Sequence, residues 1–339
     1  MKEMNINDIA RKLGMAKSTV SKALNNRSDV GEKTKIRVRQ LVEELDYAPN
    51  HFAQALNFRK SRIIGIIMHD ELHEEFFGQV VWIITVELQQ HGYAAVFASS
   101  QKSAMQEKAI IRDHVNRFMD GFILVPCAET DVQYINDIIS RGYKLVTVDN
   151  HVEGINAPFI GTDFARGTYL ATKHLLDSGH RQIGHLAGPR WADSTKEQAK
   201  GYREAYRDTG IDFRKSLTIN CEYDESDAKK KFMRLKEQNP KMTAIHCAGL
   251  AMTNGALSGI RDLGLSVPRD ISIIDYGSTS FISSINQKSA EIGKTASKVL
   301  IDLINGKDVP SKSIIAPELV IRNSSRRLRL KSNRRTKDI

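Results

Sequence analysis

The stretch GMAKSTVSKALNN, Gly14 to Asn26, places Lys17, Ser18, Ser21, Lys22 and Asn25 on one side of a short helical pattern and Met15, Val20, Ala23 and Leu24 on the other. Every side chain on the polar side can donate a hydrogen bond, and none is acidic. A solvated surface helix ordinarily interleaves Glu with Lys, so an acid-free donor face suits phosphate oxygens and base edges better than water alone. A second candidate, HDELH at 69–73, superficially resembles the zinc pattern H-E-x-x-H. Asp70 stands where the catalytic Glu would be, and the segment reads as loop, so no metal site is assigned to it. His69 and Asp70 remain as polar groups for a ligand.

Short helices must position the donor face. NINDIARKL (5–13) sets Ile6, Ile9, Ala10 and Leu13 on one face, with Asn5 or Asn7 as cap. Gly14 supplies a tight turn, the donor helix follows, and a third helix is predicted from Glu32 to Asp46 with Ile36, Val38, Leu41, Val42 and Leu45 inward. Three such helices with a short Gly-containing turn make a helix-turn-helix. Pro49 stops the third, and Asn50 can cap a helix of about two turns over 50–57, too short to be stable unless something holds it.

From Arg62 the pattern changes. Apolar runs begin with IIGIIM (63–68), AAVFASS (94–100), GFILVP (121–126), LVTVDN (145–150) and FIGTD (159–163). They continue with IGHLAG (183–188), LTINC (217–221), TAIHCAG (243–249) and ISIIDYG (271–277), most of them separated by amphipathic segments. Continuous apolar strands with helical crossovers predict parallel sheets covered on both faces. So many strands favour two α/β subdomains across a cleft, with ligands beyond the carboxyl ends of the strands.

Charge sharpens the division. Residues 1–60 carry +5 and residues 326–339 carry +6, which leaves −1 on the long middle of a chain whose net charge is +10. A basic N-terminal module points to a polyanion. The basic tail is read as solvated and disordered, with a phosphate-binding role held open. No apolar run is long enough to span a membrane, and the N-terminus has no apolar signal region, so a cytoplasmic protein with no membrane partner is expected. Cys127, Cys221 and Cys247 share no metal spacing and read as reduced core thiols. Phosphate-loop, dinucleotide-loop and nucleophile-elbow patterns are absent, so neither an enzyme nor a cofactor is expected.

INDIARKLGMAKSTVSKALNN with VGEKTKIRV and LDYAPN, GFILVP, HLLDSGHRQIGHLAGP and LSVPRDISIIDYG occur in that order across residues 4–324. In this the chain resembles the lactose-repressor/galactose-repressor (LacI/GalR) family of transcriptional regulators. The resemblance implies an α plus α/β fold. It has a helix-turn-helix headpiece at 1–47, a hinge helix and linker at 48–61, and a two-subdomain, periplasmic-binding-protein-like core at 62–325. The implied N-subdomain is 62–161 with 291–319, the C-subdomain 162–290 with 320–325, and the tail 326–339. It further implies a homodimer on a palindromic double-stranded operator, with a carbohydrate-type catabolic operon as the target. A small-molecule effector in the cleft, a sugar, polyol or sugar phosphate, is implied to act allosterically. A core answering to a protein co-regulator or to no small molecule stays open, and a solute-binding protein is a remote alternative. Only Leu328 and Leu330 stand among the tail's arginines, so no tetramerising coil is expected.

By the same resemblance, Lys17, Ser18 and Lys22 face base edges, and Thr19, Ser21, Asn25, Thr34 and Asn50 meet phosphates. Leu56 wedges into the minor groove, where small Ala53 lets two hinge helices approach. The implied effector set is His69, Asp70, Phe76, Phe77, Asp149, Ser194, Gln198, Tyr223 and Tyr276. The chain departs from the family at three polar positions. Gln198 replaces an Arg, Gly249-Leu250 replaces Asn-Asp, and Gly277 replaces an Asp.

Overall fold

The structure, a computed structural model, describes residues 5–24, 26–45, 61–69, 75–277 and 281–328. Two compact units divide between Ser61 and Arg62. Asn25, Asn50, Ala53, Leu56 and Asp70 lie outside the described residues.

The first unit holds helices α1 (Ile6–Leu13), α2 (Lys17–Leu24) and α3 (Glu32–Glu44). Asn5 caps α1 in a reciprocal capping box with Asp8, and Gly14 ends it in the left-handed region at φ 64°. Ile9, Val20, Ala23 and Val38 form a small core where the three helices meet. One inward residue is corrected: Ile36 is 51% exposed, whereas Lys35 is buried. The helical period aligns 35, 38 and 42 on the inner face and turns 36 outward. The Lys35 stem covers apolar surface while its ammonium reaches Glu32 Oε1 at 2.7 Å.

The second unit is a pair of six-stranded sheets. Strands β1 (Ile63–Met68), β2 (Ala94–Ser99), β3 (Gly121–Leu124), β4 (Lys144–Val148) and β5 (Phe159–Thr162) build the first. Strands β6 (Ile183–Ala187), β7 (Thr218–Asn220), β8 (Ala244–Cys247) and β9 (Ser272–Asp275) begin the second. All nine apolar runs thus become strands. Three more were not foreseen: β10 (Ser283–Asn286), β11 (Lys312–Ile315) and β12 (Glu318–Val320). The sheet orders are β11-β5-β4-β3-β1-β2 and β12-β10-β9-β8-β6-β7. Every pairing is parallel except β10 with β12.

The helices are α4 (Glu75–Gln90), α5 (Ala104–Asn116), α6 (Val132–Ser140), α7 (Phe164–Asp177), α8 (Asp193–Thr209), α9 (Glu225–Gln238), α10 (Leu250–Asp262) and α11 (Ser289–Ile304). The chain leaves the first sheet after β5 and returns through α11, which packs on α4, β3, β4 and β5. It then crosses once more, from β11 to β12. Beyond β12 the tail does not leave the surface at once, as a solvated tail from residue 326 would. Leu328 N–H donates to Ser178 O at 2.8 Å, and Arg326 N–H donates to Ser272 Oγ at 3.1 Å. A backbone rail laid beside the second sheet satisfies those groups better than water alone.

Candidate functional site

In the first unit, Lys17 and Ser18 are exposed at the start of α2, while Thr19, Ser21 and, on α3, Thr34 are half-buried. Val20 and Ala23 anchor the opposite side of α2, so packing fixes which face is offered to solvent. Lys22 Nζ lies 2.7 Å from Asp29 Oδ2, with both side chains about half exposed. That ammonium holds the Asp29 carboxyl below its ordinary range. Arg39 donates to Asn26 Oδ1 at 3.2 Å and ties α3 to the segment after α2.

In the second unit the carboxyl ends of both sheets face one cavity of about 150 Å³. His69 follows β1, Asp149 follows β4, Tyr223 comes after β7 and Tyr276 follows β9; all four line it. Phe76 and Phe77 enter from the first turn of α4, and Ser194 and Gln198 from the first turns of α8. The structure therefore gathers every described member of the implied effector set around one space. Phe77 is clasped edge-on by His69 and by Phe76, with ring centroids at 5.4 and 5.1 Å. Across the cavity Trp191 meets Tyr223 edge-on at 6.4 Å.

Sequence reasoning missed Lys102, Asn150, Phe164, Trp191 and Gln287, which also line the cavity. Lys102, Asn150, Phe164 and Trp191 each stand at or just past the end of a foreseen apolar run, a signal present in the sequence, whereas Gln287 follows the unforeseen β10. Asp149 and Lys102 both have left-handed backbone, at φ 66° and 59°. Non-glycine residues held there are uncommon and concentrate at ligand sites.

Three side chains around the cavity are bonded within the protein. Asn150 Nδ2 donates to Pro126 O at 2.9 Å, Gln287 Oε1 accepts from Thr162 at 3.3 Å, and Tyr276 OH donates to Phe164 O at 2.8 Å. Gln198 differs: it is only 3% exposed and its Oε1 has no partner. Behind the lining, Glu107 accepts from Cys127 N–H at 3.0 Å and from the Thr130 hydroxyl at 2.9 Å, which fixes the loop after β3. Burial raises that carboxyl's pKa and also that of the Cys127 thiol, so the thiol is unreactive.

The lost Asp at Gly277 has a structural counterpart. Asp275, two residues earlier and inside β9, is fully buried. Its Oδ2 accepts from Thr253 at 2.8 Å and its Oδ1 has no partner. A Cβ at position 277 would fall 2.6 Å from Asp275 Oδ2, so the bare glycine is what admits this carboxyl. Desolvation pushes its pKa up to about 7. Among the described residues, no group of three or more His, Cys, Asp or Glu could hold a metal ion.

Residues 5–50 match the model of bacterial regulatory proteins of the lacI family, and residues 172–325 match the periplasmic binding protein-like domain. The chain is 28% identical over 331 residues to the HTH-type transcriptional repressor PurR of Aliivibrio fischeri strain MJ11, covering 94% of this chain and 97% of that protein. The repressor of the same name from Photobacterium profundum is also 28% identical, over 94% and 98% of the two chains. Among solved structures, the lac repressor dimer bound to operator and the anti-inducer ONPF superposes with a TM-score of 0.83 at 24% identity, over 96% of this chain and all of that one. A complex of the transcriptional regulator CelR with cellobiose gives 0.71 at 23% identity, over 95% and 100%.

Proposed function

This chain belongs to the lacI family of bacterial regulatory proteins, and we propose on that basis that it represses transcription by binding a palindromic operator as a homodimer in the cytoplasm. The observation that carries the proposal is the α2 face: an acid-free row of donors, held outward by buried Val20 and Ala23, on a module of charge +5. Lys17, Ser18 and Lys22 read bases, while Thr19, Ser21, Asn25, Thr34 and Asn50 fix the register on phosphates. Leu56 and Ala53 serve the minor groove.

A small molecule in the core cavity sets DNA affinity, with a coupling free energy of about 1–3 kcal/mol typical of such regulation. The gathering of His69, Phe76, Phe77, Asp149, Ser194, Gln198, Tyr223 and Tyr276 around one cavity supports that reading over a core that answers to a protein co-regulator or to no ligand. Exposed Trp82 on α4 and Phe97 on the edge strand β2 support a face covered by a second copy. For the target we propose a carbohydrate-type catabolic operon, a reading favoured by the cellobiose-bound structural neighbour.

The test is a gel shift against fragmented genomic DNA at rising salt. A repressor retains a specific fragment and loses affinity steeply and log-linearly with salt. Absence of any retained fragment at low salt overturns the proposal.

A further inference from the structure

We infer that the open edge of β7 docks an extended acidic peptide segment of a partner protein, which adds a strand to the second sheet alongside α9. Among the described residues β7 ends that sheet, with β6 on one side and no strand on the other. Cys221 N–H donates to Ala187 O at 2.9 Å. Backbone direction alternates along a strand, so Ile219 faces β6 as Cys221 does, while Asn220 N–H and C=O and Thr218 C=O face the open edge. Thr218 N–H is turned instead to Lys215 O, in the 3-10 turn that leads into the strand. All three residues of β7 are only half-buried. Along this edge runs a groove of about 370 Å³, lined by Lys231, Arg234, Leu235 and Gln238 of α9 and by Arg190 from the loop after β6.

Charge selects the occupant. The groove is lined by three cations and no carboxylate. Among the described residues, Arg190, Lys231 and Arg234 make no hydrogen bond or ion pair. Other cations of the same subdomain are paired: Lys229 Nζ, also on α9, lies 2.7 Å from Asp262 Oδ2, and Lys173 Nζ lies 2.6 Å from Asp177 Oδ2. Asp227, one turn before Lys231, is engaged with Glu222 N–H at 3.0 Å. Edge strands are commonly guarded by charge, and guards of one sign repel a second copy of the same edge. The same guards attract a strand of opposite sign. The outward main-chain groups of β7 then favour a peptide over other polyanions, because only a peptide brings alternating N–H and C=O to match them. The groove shares no lining residue with the core cavity, so docking there does not depend on what the cavity binds.

The full-length chain is titrated into a fluorescein-labelled octapeptide of alternating Glu and Thr, at about 0.15 M salt, while anisotropy is followed. Saturable binding is expected, with the corresponding Lys–Thr octapeptide silent. Lys231→Gln combined with Arg234→Gln is expected to weaken the acidic peptide about tenfold. The same peptide N-methylated along its length keeps its charge but cannot donate to the Thr218 and Asn220 carbonyls. It is expected to bind at least about fivefold more weakly, the worth of one hydrogen bond. That comparison uses the unaltered protein and needs no variant to fold. Absence of saturation overturns the assignment, as does equal affinity for the plain and N-methylated peptides. A loss under about twofold in the double variant also overturns it, because the peptide then sits on the basic headpiece or tail. Tighter binding of an octathymidylate, lost with the same two substitutions, assigns the groove to nucleic acid and overturns the peptide.

Discussion

Lys22 shows how a residue's setting bears on its task. Its ammonium rests on Asp29 at 2.7 Å, on a pair about half exposed to water, so the contact orients the lysine and yields easily to a guanine edge. Lys22→Ala is expected to lower specific operator affinity by about 1–3 kcal/mol and to relax preference at one base pair, leaving non-specific binding nearly unchanged. A loss equal on specific and random DNA would assign Lys22 to phosphate instead. Asp275 is the opposite case, a residue whose environment opposes its charge. Its folded pKa of about 7 stands above the ordinary value of 3.8, so the unfolded chain gives up the proton first as pH rises. This group therefore subtracts stability progressively between about pH 4 and 7 and has no further effect outside that window. Asp275→Asn keeps an acceptor for Thr253 without the charge. Measured by denaturant midpoints, the variant is expected to gain about 2–4 kcal/mol on the wild type between pH 5 and pH 8. Equal pH profiles would show the carboxyl to be solvated. The sequence disclosed the loss at Gly277 but not its consequence, because the contact between 275 and 277 depends on how the strand end curls over its own side chain.

Elements were legible wherever their signal is local. The nine apolar runs carry their own burial pattern, and α1 declares itself by its apolar face, a capping Asn at 5 or 7 and Gly14. Strands β10, β11 and β12 were invisible because SSIN, KSII and ELV are short and mixed in polarity. Their partners lie far along the chain: β11 pairs with β5 and β12 with β10. Only the assembled sheets make strands of them. The exposed Ile36 was misread for a related reason, since a three-helix module presents too narrow an inner stripe to hold every apolar residue of α3. In so small a core the ends of helices matter. Asn5 accepts from the N–H groups of Asn7 and Asp8, and Asp8 returns a bond to Asn5 N–H at 3.1 Å. Asn5→Ala is expected to destabilise the headpiece by about 1 kcal/mol and to weaken operator binding in proportion, with the core's melting transition unmoved. Thermal unfolding followed alongside DNA affinity checks both.

At the scale of the whole second unit, the interleaved chain makes the final segment part of the structure it closes. His180 is fully buried between the second sheet and the tail: its Nε2 donates to Arg326 O at 3.1 Å, and its Nδ1 accepts from the Thr243 hydroxyl at 2.8 Å. Desolvation drops its pKa to about 4, and His185, buried beside His246, falls to about 4 as well. A histidine whose folded pKa is depressed favours the folded state fully above its unfolded pKa of about 6.5. It surrenders that contribution as pH falls toward 4. These histidines act against Asp275 and outnumber it, so the unit is expected to be acid-labile. The tail separates its two roles by length. A chain ending at Ser325 loses the bonds from Arg326 and Leu328 and leaves His180 Nε2 and Ser178 O without protein partners. It should lose about 1–3 kcal/mol in denaturant at neutral pH. It should also lose less than the full chain on acidification, because a His180 opened to water titrates nearer its ordinary value. A chain ending at Leu328 keeps the rail and should match the full chain in both respects. Any drop in operator affinity of that second truncation then measures the phosphate contacts of residues 329–339 alone, and equal affinity rules such contacts out.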